Sequence, residues 1–574
     1  MENKIRYKIP YAVMNYAQIR EDGYYFVDKT NYIAELEKYQ VPIFLRPRRF
    51  GKSLFCTMLD YYYDLNEAYR FERLFGDTWI GQHPTGRQNK YMVLHLDFSI
   101  VPIANNLEDL EQNFNDVMSP YLTGFVQVYG KYMKGLQFSN PRSVTVQFSN
   151  ILEYVQRNNL PPVYVIIDEY DNFTNQLITA NKDTLYSELT TGDSFLRTFF
   201  KIIKEGVKTQ SIGGIFITGV LPITMDDLTS GFNIAQMVTL QPELVNMLGF
   251  TYKETEEYLQ AIFSSYNFDE SLLPEVRQII RNNYDGYRFL AGVEPIYNST
   301  ILTYFLSLFT INNGVIPDEL IDENLRTDLG WIRRLTLGKE QAREMLHQLV
   351  YNGTLNYTRE MLKSKFSRQQ FFEKEFYPIS LYYLGMTTLQ NNFQMVLPNN
   401  TMRTIFTDYY NTINDLRGTA DKYVGFFEQF THDHSIETLF NGYYRVYLGQ
   451  FAAQSFDKMN ENFIRNTFYE LCNRYLSSEY IFALEQNYPS GRADWEITGR
   501  PGTGYHKNKQ IVEFKYYPAK EAKRILALTE PSPADAEQVC RYAADAQEMF
   551  PDFKIRKYVI YVAGNKGYKL WEIK

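Results

Sequence analysis

One junction constrains this chain more than any other. The apolar run Val41-Pro-Ile-Phe-Leu45 passes directly into Arg46-Pro-Arg-Arg-Phe-Gly51-Lys52-Ser53, and an apolar helical pattern begins at Leu54. A strand that turns into a helix through Gly-Lys-Ser is built for phosphate. Backbone N–H groups at the helix N-terminus face the anion, the lysine reaches the terminal oxygens, and the hydroxyl binds Mg²⁺. Lys52 and Ser53 are therefore the first candidates for gripping ATP and its metal. Arg48, Arg49, Phe50, Gly51 and Leu54 complete the cofactor-binding segment. Arg46 stands where such a loop usually has its first glycine, so the loop's shape is left open by the motif.

Three further apolar runs follow: Met92-Val-Leu-His-Leu96, Val163-Tyr-Val-Ile-Ile167 and Ile212-Gly-Gly-Ile-Phe-Ile217. Continuous β-branched runs separated by amphipathic stretches predict a buried parallel sheet. Val163–Ile167 ends in Asp168-Glu169, which puts both carboxylates at the strand's C-terminal edge, where ligands of open α/β sheets bind. Asp168 is expected in the Mg²⁺ shell, and Glu169 is expected to orient or activate the attacking water. Thr218 follows the fourth run and is a candidate sensor of the γ-phosphate; a β-propensity threonine before a turn is the alternative. Asp97 occupies a similar position.

The rest of the composition narrows the class. A chain of 574 residues is longer than one core usually organises. The three cysteines, Cys56, Cys472 and Cys540, are scattered and form neither a metal spacing nor a disulfide framework, which suits a cytoplasmic location. The longest apolar stretch, Ile301 to Ile311, is too short to span a bilayer, so no membrane role is expected. The net charge of −8 gives no global footprint for nucleic acid, but 19 Lys and Arg against 16 Asp and Glu lie from Asn441 onward. A polyanion partner is best sought there.

That C-terminal part carries a second constellation. Gly491-Arg-Ala-Asp494 enters one strand, and Gln510-Ile-Val-Glu513-Phe-Lys515 lies on the next. Glu513 and Lys515 share a strand face because the side-chain period is two. With Asp494 beside them, two carboxylates and a lysine form a Mg²⁺ site: the metal acidifies water, and the lysine positions the nucleophile or offsets phosphate charge. Glu485, whose strand leads into Asp494, is a further metal candidate, and Glu470 a weaker one; both are open to the reading of solvated carboxylates. His432-Asp433-His434 reads as a solvated loop. Arg333-Arg334 has the charge of an arginine finger but no sign of facing a nucleotide.

Tyr25–Thr30, Arg46–Leu54, Ile167–Asp171, Thr218–Val220 and Tyr284–Phe289 together resemble the predicted AAA-ATPase-like family common in bacteria, which has arginine at the place of Arg46. The resemblance covers roughly residues 6 to 300. It implies a P-loop core followed by a helical lid in which Arg288 approaches the nucleotide. Residues 440 to 574 resemble a PD-(D/E)xK nuclease-like domain, and Gln538 and Tyr542 match a Q-x-x-x-Y pattern of related nucleases. The expectation is an α/β protein with four parts: a P-loop core over 1–250, a helical lid and connector over 251–400, a linker over 401–440, and a restriction-endonuclease-like domain over 441–574. The expected function is an ATP-binding, ATP-hydrolysing protein coupled to Mg²⁺-dependent cleavage of DNA or RNA. The runner-up is a nucleotide-dependent switch or interaction protein with an inactive tail. A homo-oligomer fits this class, but nothing in the sequence sets its number.

Overall fold

The computed structural model describes residues 6–228, 232–322, 325, 329–336, 340–364, 366–416 and 421–574. The four apolar runs form β1 (Pro42–Leu45), β2 (Met92–Asp97), β3 (Val163–Asp168) and β4 (Ile212–Gly219). With the short β5 (Gln236–Met237) they make one parallel sheet in the order β2-β3-β4-β1-β5. Every residue of β1 and β3 is buried, as continuous apolar strands covered on both faces must be. Leu45 pairs with Gly219 and Asp97 with Asp168, so the ends of β1 to β4 share one edge.

The helices Tyr252–Tyr266, Leu273–Tyr284 and Ser299–Ile311 follow and enclose their own core around Tyr258, Ile280 and Phe305. A three-stranded antiparallel sheet comes next, made of β6 (Thr354–Asn356), β7 (Thr388–Leu389) and β8 (Gln394–Val396) in the order β6-β8-β7. Among the described residues no helix is long and apolar enough to cross a membrane.

The last sheet contains β9 (Tyr480–Tyr488), β10 (Gly491–Gly499), β11 (Asn508–Tyr517), β12 (Lys554–Ala563) and β13 (Tyr568–Ile573), ordered β13-β12-β11-β10-β9. Only β11 and β12 are parallel, and the helix Pro533–Met549 makes the crossover between them. The helix Glu461–Leu476 covers the other face, with the Phe468 ring 4.9 Å from Trp495. The whole is an α/β protein, as its sequence predicts.

The expected linker over 401–440 is corrected. The segment folds into the helices Asn400–Ile413, Asp421–Asp433 and Ile436–Gly442. Their Tyr410, Tyr423, Phe427 and Phe440 lie in the same core as Phe468, Trp495 and Phe514. Aromatic rings supply this burial.

Candidate functional site

The loop after β1 is held in an unusual way. Arg46 is buried, and its guanidinium donates to the carbonyls of Leu45, Thr239 and Val245 at 3.1, 3.3 and 2.8 Å. It lies between the rings of Phe44 and Phe289, 4.3 and 4.0 Å from their centroids, and burial pulls its pKa down to about 10. Phe50 packs edge-on against Tyr287 and Phe289. Arg49 has a left-handed backbone and pairs with Asp322 at 2.7 Å. Gly51, at φ 91°, makes the final left-handed turn into the helix Lys52–Tyr63, a conformation that suits glycine.

Lys52 begins that helix and bends back over the loop. Its Nζ donates to the carbonyls of Arg46 and Pro47 and lies 3.2 Å from Glu169 Oε1. Glu169 has φ 51°, so its side chain turns back from the end of β3 instead of continuing along it. Burial alone would raise its pKa, but Lys52 and Arg48 outweigh burial and hold it below the usual value. The neighbouring Asp168 goes the other way: burial and the Glu169 charge raise it, against the opposing pull of Ser53, Lys52 and His95. The sulfur of Cys56, a ring nitrogen of His95 and an oxygen of Asp168 lie within 4.8 Å of one another, and His95 Nδ1 is 2.7 Å from Asp60.

A cavity of about 290 Å³ opens from the loop. Arg48 through Phe55 and Glu169 line it together with Met14, Phe26, Leu248 and Phe250. Thr218 is not brought to this cavity. Its hydroxyl is buried and donates to the Phe44 carbonyl at 2.8 Å, so it ties β4 to β1 and has no free reach toward a phosphate. Asp97 caps a turn by accepting from the Ser99 N–H. Asp171 accepts from the N–H groups of Val220 and Leu221 and clamps the turn after β4. A Cβ on Gly219 would come within 2.3 Å of that carboxylate.

At the second site Glu513 and Lys515 do share a face of β11, with Nζ 2.7 Å from Oε1. Asp494 reaches over from β10 and accepts from the Phe514 N–H at 2.9 Å. Glu461, in the first turn of its helix, completes the group, 3.8 Å from Lys515. Burial and the Asp494 charge push the Glu513 pKa up to about 7 against the opposing pull of Lys515. Burial and Asp494 also raise Glu461. Lys515 is raised because Glu513, Glu461 and Asp494 outweigh its burial. On the helix Pro533–Met549, Gln538 donates to the Tyr542 hydroxyl, and Tyr542 packs over Gly491.

The auxiliary carboxylates that the sequence offers, Glu470 and Glu485, are both taken up by guanidiniums. Glu470 is buried on Arg474 and Asn411, away from the cluster. Glu485 is enclosed by Arg403, Arg465 and Arg492, whose charges outweigh burial and hold its pKa low. Three guanidiniums leave no electrostatic reason for a cation there. Arg465 also pairs with Asp494, a contact nothing in the local sequence announces. Nothing in the local sequence marks Glu461, and only the fold brings the first turn of its helix to Lys515 on β11. Arg334 pairs with Asp183, and the side chain of Arg333 lies outside the described residues. His434 bonds Tyr480 and stacks on Tyr505.

Both sites have the donor set for a hard cation. Asp168 Oδ1 and Glu513 Oε2 are buried with no hydrogen-bond partner among the described residues. A buried carboxylate oxygen left unpaired is costly, and a divalent cation with oxygen ligands relieves that cost.

Residues 10–229 match the family model described as Predicted AAA-ATPase, and residues 459–572 match that of the PD-(D/E)XK nuclease superfamily. The chain is also 24% identical over 295 residues to "Uncharacterized protein in vnfD 5'region" of Azotobacter chroococcum mcd 1. That match takes in 51% of this chain and 50% of the relative, so the chain spans about half the relative's length. No solved structure matches. The two domains point to nucleotide binding and to nuclease-like chemistry.

Proposed function

We propose that this chain, with a predicted AAA-ATPase domain and a PD-(D/E)XK nuclease superfamily domain, binds and hydrolyses ATP at the first site and cleaves a nucleic-acid phosphodiester at the second. The observation that carries it is a buried carboxylate oxygen without a partner among the described residues, next to a lysine ion pair, at each site: Asp168 Oδ1 beside the Lys52–Glu169 pair, and Glu513 Oε2 on the carboxylate that pairs with Lys515. At the first site Lys52 leaves Glu169 for the terminal phosphates, and the N–H groups from Gly51 onward face them. Ser53 and Asp168 hold Mg²⁺. Glu169, freed of Lys52, orients water. The apolar side chains of the cavity, Met14, Phe26, Leu248 and Phe250, cover the base. Bound there, Mg²⁺ neutralises charge developing on the phosphate oxygens.

At the second site Asp494 and Glu513 hold the cation, with Glu461 as an additional carboxylate, and Lys515 orients the attacking water. Bound there, the metal supplies Lewis acidity and acidifies water. Nucleotide state changes the position of the lid and so gates this site.

Lys52→Ala is expected to weaken ATP binding by about 2–5 kcal/mol, because it removes a buried charged donor and strands Glu169. A fluorescent-ATP titration measures this; unchanged affinity would sink the phosphate-site reading. Metal affinity at the second site is expected to follow Glu513. Below about pH 7 the carboxyl holds a proton that the cation must displace, so affinity rises about tenfold per pH unit and levels off above that. Mn²⁺ titrations from pH 5.5 to 8.5 test this, and a flat profile argues against Glu513 as ligand.

The deciding experiment incubates the protein with plasmid, single-stranded DNA and RNA in Mg²⁺ or Mn²⁺, with and without ATP, beside Asp494→Ala and Lys52→Ala. Cleavage that disappears in Asp494→Ala supports the nuclease, and an ATP effect that disappears in Lys52→Ala supports coupling. The ion pair between Arg465 and Asp494 favours one second reading, a nucleotide-dependent switch whose tail binds without cutting. No cleavage under any condition selects it.

A further inference from the structure

A second, polar cavity of about 440 Å³ lies between the helical segment and the last sheet. Four guanidiniums line it: Arg281, near the end of the helix Leu273–Tyr284; Arg288, just beyond that helix; Arg403, on Asn400–Ile413; and Arg492, on β10. Two carboxylates share the space. Burial raises the pKa of Asp285, and Glu485 is already engaged by Arg403, Arg465 and Arg492. Positive charge is thus concentrated here in a chain of net charge −8, so the cleft does not simply follow composition.

Residues that line it, or their immediate neighbours, contact both sites. Asn462 lines the cleft and accepts from Arg465, which pairs with Asp494. Arg492 and Asp494 are two residues apart on β10 and share a face. On the other side, Tyr287 and Phe289 pack against Phe50 of the phosphate loop, while Arg288 between them lines the cleft. Arg288, expected near the nucleotide, is found here instead.

We infer that a nucleic-acid backbone lies in this cleft, with its phosphates on Arg281, Arg288, Arg403 and Arg492 and its path leading to Asp494. The inference rests on the nuclease reading above for its substrate. Guanidinium forks match phosphate oxygens in pairs, and phosphate contacts set register without reading sequence. The segment Tyr287–Phe289 touches both the phosphate loop and the cleft, so a shift of the loop moves a phosphate contact.

The test is fluorescence anisotropy with labelled single-stranded DNA, duplex DNA and RNA over a salt series, with metal chelated so that nothing is cut. Cleavage in Mg²⁺ and Mn²⁺ is read separately on the same preparations. Arg281→Ala with Arg492→Ala is expected to weaken binding about tenfold and to reduce the log–log salt slope by about 2, one for each lost phosphate contact. Both residues are exposed, so the melting midpoint should stay at the wild-type value. Arg281→Lys with Arg492→Lys is expected to restore most of the slope, a rescue that a packing defect would not give. Unchanged binding in the alanine variant, or no binding of any of the three polymers by wild type at low salt, overturns the inference. Binding that the alanine variant loses, without cleavage by wild type, keeps the cleft and removes the nuclease reading. Which polymer binds most tightly identifies the source of the backbone.

Discussion

Arg46→Gly, which writes the usual first glycine back into the phosphate loop, is expected to destabilise the protein by about 3–5 kcal/mol and to impair ATP binding. The guanidinium serves three carbonyls and stacks between two rings at 4.3 and 4.0 Å, all out of contact with water. Its removal leaves buried acceptors short of a donor, at about 1–3 kcal/mol each, and opens a cavity beside Phe289. Glycine also frees the backbone of a loop that Arg46 now pins to the helical segment. Arg46→Lys keeps the charge but neither the planar fork nor the stacking, so it should fall between. Urea unfolding followed by a nucleotide titration measures both effects. A glycine variant as stable as wild type would mean that Arg46 is dispensable to the loop.

Glu513→Gln is expected to reduce cleavage by roughly a thousandfold, the several kcal/mol that a correctly held metal contributes. The same substitution should stabilise the fold at pH 8. Glu513 titrates near 7 when folded and near 4.5 in its ordinary setting. Between those values the folded protein holds a proton that the unfolded chain has released, so stability falls as pH rises through the window. The amide does not titrate and escapes that loss, which is on the order of 1 kcal/mol after the lost Lys515 contact is set against it. Lower activity with higher stability separates a working residue from a structural one. Loss of both together would assign Glu513 to the scaffold.

The legible parts of the fold were those whose burial is continuous. β1 and β3 are buried from end to end because both faces are covered, β2 and β4 are largely apolar runs beside them, and the phosphate loop announces itself by joining β1 to a helix. β5 is two exposed residues, Gln236 and Met237, and carries no pattern. β13 is half-buried and interspersed with charge, so it reads as tail. The helices over 400–442 bury aromatics set in a polar background, and turn-like residues mask their period. At the second site, strand periodicity alone brings Glu513 and Lys515 together. The ion pairs of Glu485 were not legible because its partners, Arg403, Arg465 and Arg492, converge from three separate elements. Electrostatic company of that kind depends on tertiary placement, which spacing along a strand does not encode.

The shared core of the 400–442 helices and the last sheet bears on how such a protein can be inherited. Tyr410, Tyr423, Phe427 and Phe440 fill the space that Phe468, Trp495 and Phe514 leave on one face of that sheet. A recombination event that moved only residues 459–572 into another gene would carry half of an interior and expose the rest as an adhesive surface. Val350 and Tyr351 belong to the same core, so the piece that can be transferred and still fold is expected to include the helix Glu340–Asn352. Lineages that exchange this tail should therefore have their breakpoints before that helix, well upstream of the segment that carries the catalytic-looking signature.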